Sequence, residues 1–312
     1  MSAPENTPAP TGVRAAWARR WQRLRTEARD ALELVLLPGL AAVLPWPWCF
    51  ALFKRLARLR WLYGPVCERA LAQAQQRGMA ADPAHWLWQR RLVTLVDHAD
   101  YYLGRFRGDG WLRRHVQVQG QWPAPDRPGM LCTFHWGAGM WGLRHARQSG
   151  LHAHALVASL NSQAFQGRTV LGWYARARTR EVARALGRPT LDVSASLRPA
   201  VRALRANEQV LAAVDVPADQ VAASEPLQLC GMRARAPRGL LRLAAEQGVP
   251  VTIYITGLDM RSGRRFLRIE PLPPESDTSA LIIQTFARLQ DLLNEDPAAW
   301  HFWSEAERFF ER

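Results

Sequence analysis

The sequence predicts an α/β fold: a central, mostly parallel sheet flanked by helices, preceded by an N-terminal membrane-associated helical segment. Three observations carry this. Residues 31–53, "ALELVLLPGLAAVLPWPWCFALF", form an apolar run whose only charge is Glu33. Residues 60–105 place apolar side chains at three- and four-residue spacings, the period of a helix. After Gly110, short β-like runs alternate with helical stretches. The chain thus divides into a disordered, basic segment over 1–29, a helical membrane-associated region over 30–110 and an α/β domain over 111–312, with the last two in one structural unit.

The N-terminal elements come first. Residues 1–13 are proline-rich and polar, a composition that stays disordered, and no apolar core marks a secretory signal. Arg14, Arg19, Arg20, Arg23, Arg25 and Arg29 follow, with Trp17 and Trp21 among them. The run 31–53 is long enough to span a bilayer as a helix. Pro38, Pro45 and Pro47 interrupt such a helix. Lys54, Arg55, Arg58 and Arg60 put positive charge on the second flank too, against the usual one-sided bias. A bent, re-entrant segment with both ends on the cytoplasmic face satisfies both facts, with Trp46 and Trp48 at interfacial depth. A buried core helix with a proline bend is the competing reading.

Beyond Gly110 the expected strands are 115–120, 129–134, 154–158, 208–214, 250–256 and 265–270. The expected helices are 138–148, 169–186, 194–206, 237–247 and 278–294.

Composition narrows the function. The net charge is +14, and Lys54 is the only lysine. So basic a chain attracts anionic partners: nucleic acid, an anionic membrane surface or an acidic protein. Without an RNP, KH or zinc-finger pattern, nucleic acid is not an expected partner. The four cysteines, Cys49, Cys67, Cys132 and Cys230, form no C-x-x-C pair, which fits a reducing compartment without zinc or disulfides. The eight histidines are dispersed with no H-E-x-x-H, so a metal site built from histidines is not expected. A serine hydrolase would want G-x-S-x-G, which is absent.

The chemistry centres on "MLCTFHWGAGMWGLR", residues 130–144. In open α/β sheets, function gathers at the carboxyl ends of strands, where His135 falls. Gly137 and Gly139 follow, letting the backbone turn sharply and expose N–H groups to an oxyanion or phosphate. A histidine in this place suits a general base acting on a hydroxyl. A lone strand-end histidine is more often structural, and the surrounding pattern has to decide.

That pattern resembles the late acyltransferases of lipid A biosynthesis, the lauroyl/myristoyl transferase family within the lysophospholipid acyltransferase superfamily. The resemblance runs over roughly 30–310. "VQVQG…GMLCTFHWGAGMWGL" resembles the family's block of strand, glycine, strand and H-x-x-x-x-D/E. "SLNSQAFQGRTVLGWYARARTREVARALG" sits where the family carries an acceptor- or phosphate-handling stretch, which points to Asn161 and Arg168. "LRPAVRALRANEQVLAAVDVPADQ", "LQLCGMRARAPRGLLRLAAEQGVPVTIYI" and "PAAWHFWSEAERF" resemble the later blocks in order. The resemblance implies transfer of an acyl group from an acyl carrier protein or acyl-CoA to a hydroxyl of a membrane lipid or glycolipid, with no metal or cofactor required. It implies a location at the cytoplasmic face of the bacterial inner membrane. Arg168, Arg176, Arg178, Arg180 and Arg184 are then candidates to dock the acidic carrier and its phosphopantetheine phosphate. Trp136, Trp141, Phe165 and Trp173 are candidates to line an acyl pocket, or equally to fill the core.

One position departs from the family motif: the acid five residues after the histidine is Met140. A thioether neither orients nor stabilises an imidazolium, so the carboxylate must come from elsewhere. Asp215, ending the apolar run "VLAAVD", is the first choice, because neighbouring parallel strands bring their C-terminal ends together. Asp219 and Glu225 are second and third. A non-catalytic carrier- or lipid-binding member of the family is the alternative function.

Overall fold

The structure is a computed structural model and describes residues 12–158, 165 and 167–311. Helices come first: α1 (Gly12–Asp30), a π-helical turn (Ala31–Leu36), α2 (Leu37–Val43), α3 (Trp46–Leu56), α4 (Gly64–Gln76), α5 (Pro83–Phe106) and α6 (Asp109–His115). The α/β part follows: β1 (Val116–Gln119), β2 (Gly129–Thr133), α7 (Met140–Gln148), β3 (Ala153–Val157), α8 (Thr169–Leu186), β4 (Leu191–Asp192), α9 (Arg198–Arg205) and β5 (Gln209–Ala213). A hairpin of β6 (Ser224–Leu229) and β7 (Met232–Pro237) leads to α10 (Gly239–Gln247), β8 (Val251–Leu258), β9 (Arg265–Pro271) and α11 (Thr278–Glu295). The chain closes on 3-10 turns over Pro297–Ala299 and His301–Arg308.

The fold is α/β, with a mostly parallel seven-stranded sheet in the order β1-β9-β8-β2-β5-β3-β4. All six expected strands are present. Only β8 and β9 pair antiparallel within this sheet. Alternate residues of the central strands enter opposite cores, as the two-residue period requires. Met130, Cys132, Val210 and Ala212 face one layer, with α10 and α11. Leu131, Leu211 and Tyr254 face the other, with α3, α5 and α7.

The connections fix where the sheet opens. From β2 the chain passes through α7 to β3, beyond β5. From β5 it passes through α10 to β8, on the far side of β2. The two crossovers leave in opposite directions on opposite faces. The C-terminal ends of β2 and β5 therefore border a crevice at a topological switch point.

The N-terminal third differs from expectation. Residues 12–30 form α1, where the sequence reading has a disordered segment to 29; residues 1–11 lie outside the described residues. The run 31–53 is divided among the π-helical turn, α2 and α3, with Leu36, Val43 and Trp48 exposed. Among the described residues no helix is long and apolar enough to cross a membrane. Much of the run is core: Ala41, Trp46, Cys49, Phe50 and Phe53 are buried. Trp46, expected at an interface, donates its indole N–H to the Gly263 carbonyl at 2.9 Å and lies 4.0 Å beneath the Arg265 guanidinium. Arg265 itself pairs with Asp100 of α5, both fully buried. Removing one member of such a pair typically costs about 3–5 kcal/mol, so the N-terminal helices and β9 share one core.

The π-helical turn has a local cause. The Leu37 amide bonds the Leu32 carbonyl, one residue further back than in an α-helix, and Pro38 has no N–H. The carbonyls of Glu33 and Leu34 thereby lose their helical donors. The hydroxyls of Tyr63 and Tyr102 replace them, at 2.8 and 2.7 Å. The Glu33 carboxylate accepts from the Tyr63 amide at 2.7 Å and from Arg29 Nε at 3.0 Å. The one charge in the apolar run is thus a buried tie between helices.

Candidate active site

Two strand ends build the site. Parallel pairing sets Thr133 of β2 opposite Ala213 of β5. The Val214 amide extends the ladder to the Thr133 carbonyl at 2.9 Å. Two residues beyond the paired positions on each strand stand His135 and Asp215. Their side chains meet: His135 Nδ1 lies 2.9 Å from Asp215 Oδ1. A carboxylate only accepts, so Nδ1 carries the proton and Nε2 is the free ring nitrogen.

Asp215 is fully buried while 40% of the His135 side chain is exposed. The carboxylate also accepts from the His135 backbone amide, 2.9 Å from each oxygen. The Trp300 indole N–H donates to Oδ2 at 2.9 Å. A desolvated anion is costly unless its lone pairs are taken, and here they are. Among the described residues, His135 Nε2 meets no partner. Burial opposes a charged imidazole, but the Asp215 charge and hydrogen bond outweigh it, and the His135 pKa stands above its ordinary value.

The C-terminal segment closes over this pair. The His301 amide donates to the His135 carbonyl at 2.7 Å, and its Nε2–H donates to the Gly137 carbonyl at 2.7 Å. Phe302 meets the His135 ring edge-on, with centroids 4.5 Å apart. Arg90, buried in α5, holds the segment by donating to the Trp300 carbonyl at 2.9 Å and the His301 carbonyl at 3.1 Å. Burial lowers the His301 pKa to about 4, so this second histidine is neutral. The sequence reading took "PAAWHFW" only as an aromatic block and missed Trp300 and His301. No spacing links them to His135; only the fold does.

The glycines serve the backbone. Gly137 has φ of +69°, and a Cβ there would lie 2.3 Å from the Thr256 carbonyl oxygen. Its amide donates to the Ala299 carbonyl at 3.1 Å, and the Ala138 amide to Thr256 at 3.0 Å. The Gly137 amide is therefore not open to a substrate oxyanion, contrary to expectation. Gly139 precedes the first turn of α7. Met140 is buried, and its Cγ lies against Gly104 together with Glu181 Oε1. An acid at this position would place a second carboxylate in a nearly dry space beside the first.

The arginines separate. Arg178 Nη2 donates to Asp97 Oδ1 at 2.6 Å. Burial favours the neutral acid, yet the Arg178 charge draws the Asp97 pKa down to about 2. The charges of both groups act on His135 and His301. The Tyr174 hydroxyl donates to His98 Nδ1 at 2.9 Å, and burial lowers the His98 pKa to about 3. Arg168 pairs with Asp30, and Arg184 pairs with Glu181. Arg176 sits 6.0 Å from the Phe165 ring, and Arg180 is exposed. The expected row of free arginines is thus largely taken up by internal acids. Asn161 lies outside the described residues. Asp219 pairs with Arg308 at 3.0 Å and Glu225 lies 3.7 Å from Arg238, so neither reserve acid serves His135.

Trp136 and Trp141 are core residues, while Trp173 is exposed. Two open grooves run between α1, the π-helical turn and α8, and neither borders His135. No family model matches the chain, and no curated protein matches it.

Proposed function

We propose that this protein is an acyltransferase. It moves a fatty acyl group from an acyl carrier protein or acyl-CoA thioester to a hydroxyl of a membrane lipid or glycolipid at an anionic membrane surface. The observation that carries the reading is the His135–Asp215 dyad: a dry, fully bonded carboxylate holding Nδ1 at 2.9 Å, with Nε2 open. The resemblance to the late lipid A acyltransferases supports the choice of reaction.

His135 Nε2 accepts the proton of the acceptor hydroxyl as its oxygen attacks the thioester carbonyl carbon. Asp215 stabilises the imidazolium that forms and keeps the ring in one tautomer. The tetrahedral intermediate expels the thiolate, the imidazolium returns the proton to sulfur, and the ester remains. A purified-protein assay with an acyl-carrier thioester and extracted membrane lipid tests this, read as ester product by mass spectrometry. Ester formation that vanishes in His135→Ala supports the reading. Donor binding without turnover in the wild type overturns it in favour of a binding-only protein.

A further inference from the structure

Helix α1 stands out from the body: residues 16–25 are all exposed. Trp17, Trp21 and Leu24 recur at helical spacing, and Ala28, Ala31 and Val35 continue their stripe into the π-helical turn. The three large side chains are more than half exposed. Leu24, Ala31 and Val35 of this stripe meet α8 along the two grooves. The first, of about 610 Å³, is bordered by Arg19, Arg20, Arg23, Leu24 and Glu27. The second, of about 390 Å³, is walled by Ala31, Val35, Leu36, Val170 and Trp173. Thr169 borders both.

The one acid at the cationic end is already engaged. Glu27 accepts from the Thr169 amide at 2.6 Å and the Val170 amide at 2.9 Å, capping α8. Arg168 and Asp30 add an ion pair beside it. These two ties fix α1 against α8; Arg23 shares the Glu27 charge and donates to the Gly167 carbonyl at 3.3 Å, while Arg19 and Arg20 stand exposed. No Asp or Glu occurs between residues 12 and 26.

We infer that this groove seats one anionic membrane lipid, its phosphate on Arg19, Arg20 and Arg23 and an acyl chain on Val35, Leu36, Val170 and Trp173. Charge complementarity and the order of the two ends argue for this occupant: an amphiphile has its charge and its chain disposed in the same sequence. Free phosphate satisfies only the first end. An apolar stripe bearing tryptophan, flanked by arginine, belongs to helices that lie in a bilayer interface.

The test uses the full chain and dihexanoyl phosphatidylglycerol below its critical micelle concentration, followed by tryptophan fluorescence. The expected result is saturable one-to-one binding, with dihexanoyl phosphatidylcholine and inorganic phosphate at least tenfold weaker. Arg19→Gln/Arg20→Gln/Arg23→Gln, on exposed positions with an unchanged thermal melt, weakens binding about a hundredfold. Leu36→Asp weakens it too by charging the apolar end. His135→Ala binds like the wild type, so failure of the acyl-transfer reading leaves this one standing. Equal binding of the choline lipid, undiminished binding by the triple variant, or binding only above the micelle threshold overturns the proposal.

Discussion

The ends of β2 and β5 and the cleft between α1 and α8 solve opposite problems. At the strand ends, a buried carboxylate has its donors in place and only one ring nitrogen, His135 Nε2, looks outward. Along α1, arginines and tryptophans stand exposed while the nearest acids are held by α8. A site whose polar atoms are satisfied is preorganised for a proton transfer, because little has to rearrange when charge develops. A surface with unmatched charge and unburied apolar stripes is built to meet something else. The difference teaches that the proposed chemistry and the proposed docking fall on separate parts of this molecule.

Substitutions can sharpen that contrast. The largest effect within the dyad is expected from Asp215→Asn, which leaves the ring near its place but removes the charge that stabilises the imidazolium. Turnover falls about a thousandfold or more with donor affinity retained, measured by single-turnover and binding assays. The pH dependence supplies the sign. A general base works when neutral, and the His135 pKa stands above its ordinary value, so activity rises with pH through that raised value. Asp215→Asn moves this acidic limb to lower pH. The same linkage makes the dyad's extra stability complete below about 6.5, the free histidine value, and lost as pH rises through the folded value. The melting-temperature gap between wild type and Asp215→Asn is therefore wider at acid than at alkaline pH.

Trp300→Phe comes next. It removes the indole donor from Asp215 Oδ2, so the carboxylate charge acts more fully on His135. The expected outcome is about a tenfold loss of kcat, the size of one hydrogen bond, with KM unchanged. The acidic limb moves to higher pH, opposite to Asp215→Asn. A purely structural tryptophan would lower stability without moving that limb. Met140→Ala has the smallest effect on chemistry. It costs about 2–5 kcal/mol of stability as a cavity in the core, while kcat per folded molecule stays within a few-fold. Met140→Glu does not rescue Asp215→Asn, because the new carboxylate meets Glu181 across Gly104 rather than His135.

Much of this was legible in the chain. The apolar runs gave β2, β5 and β8, and the period of 169–186 matched α8 end to end. Asp215 could be read as the partner of His135 because each follows a buried strand, and adjacent parallel strands bring such positions together. The hairpin of β6 and β7 was hidden because arginines and prolines break its alternation. Its signal was the two-residue turn at Cys230 and Gly231, both with positive φ. Helix α1 reads as polar at most positions, and no local rule places it against α8. The apolar run 31–53 is ambiguous in sequence because a buried helix and a membrane segment share one composition. Tyr63, Tyr102 and Arg265, distant in sequence, are what turn it inward.

The central claim is that His135, held by Asp215, takes a proton from an alcohol so that an acyl group can leave its thioester. Single-turnover transfer from an acyl-carrier thioester to membrane lipid, with wild type and His135→Ala side by side, tests it most directly. The account predicts a lipid ester in the wild type and at least a thousandfold slower formation in the variant, about the contribution of one general base, with both proteins folded. Equal rates in the two proteins, or no ester above the protein-free control, would contradict it.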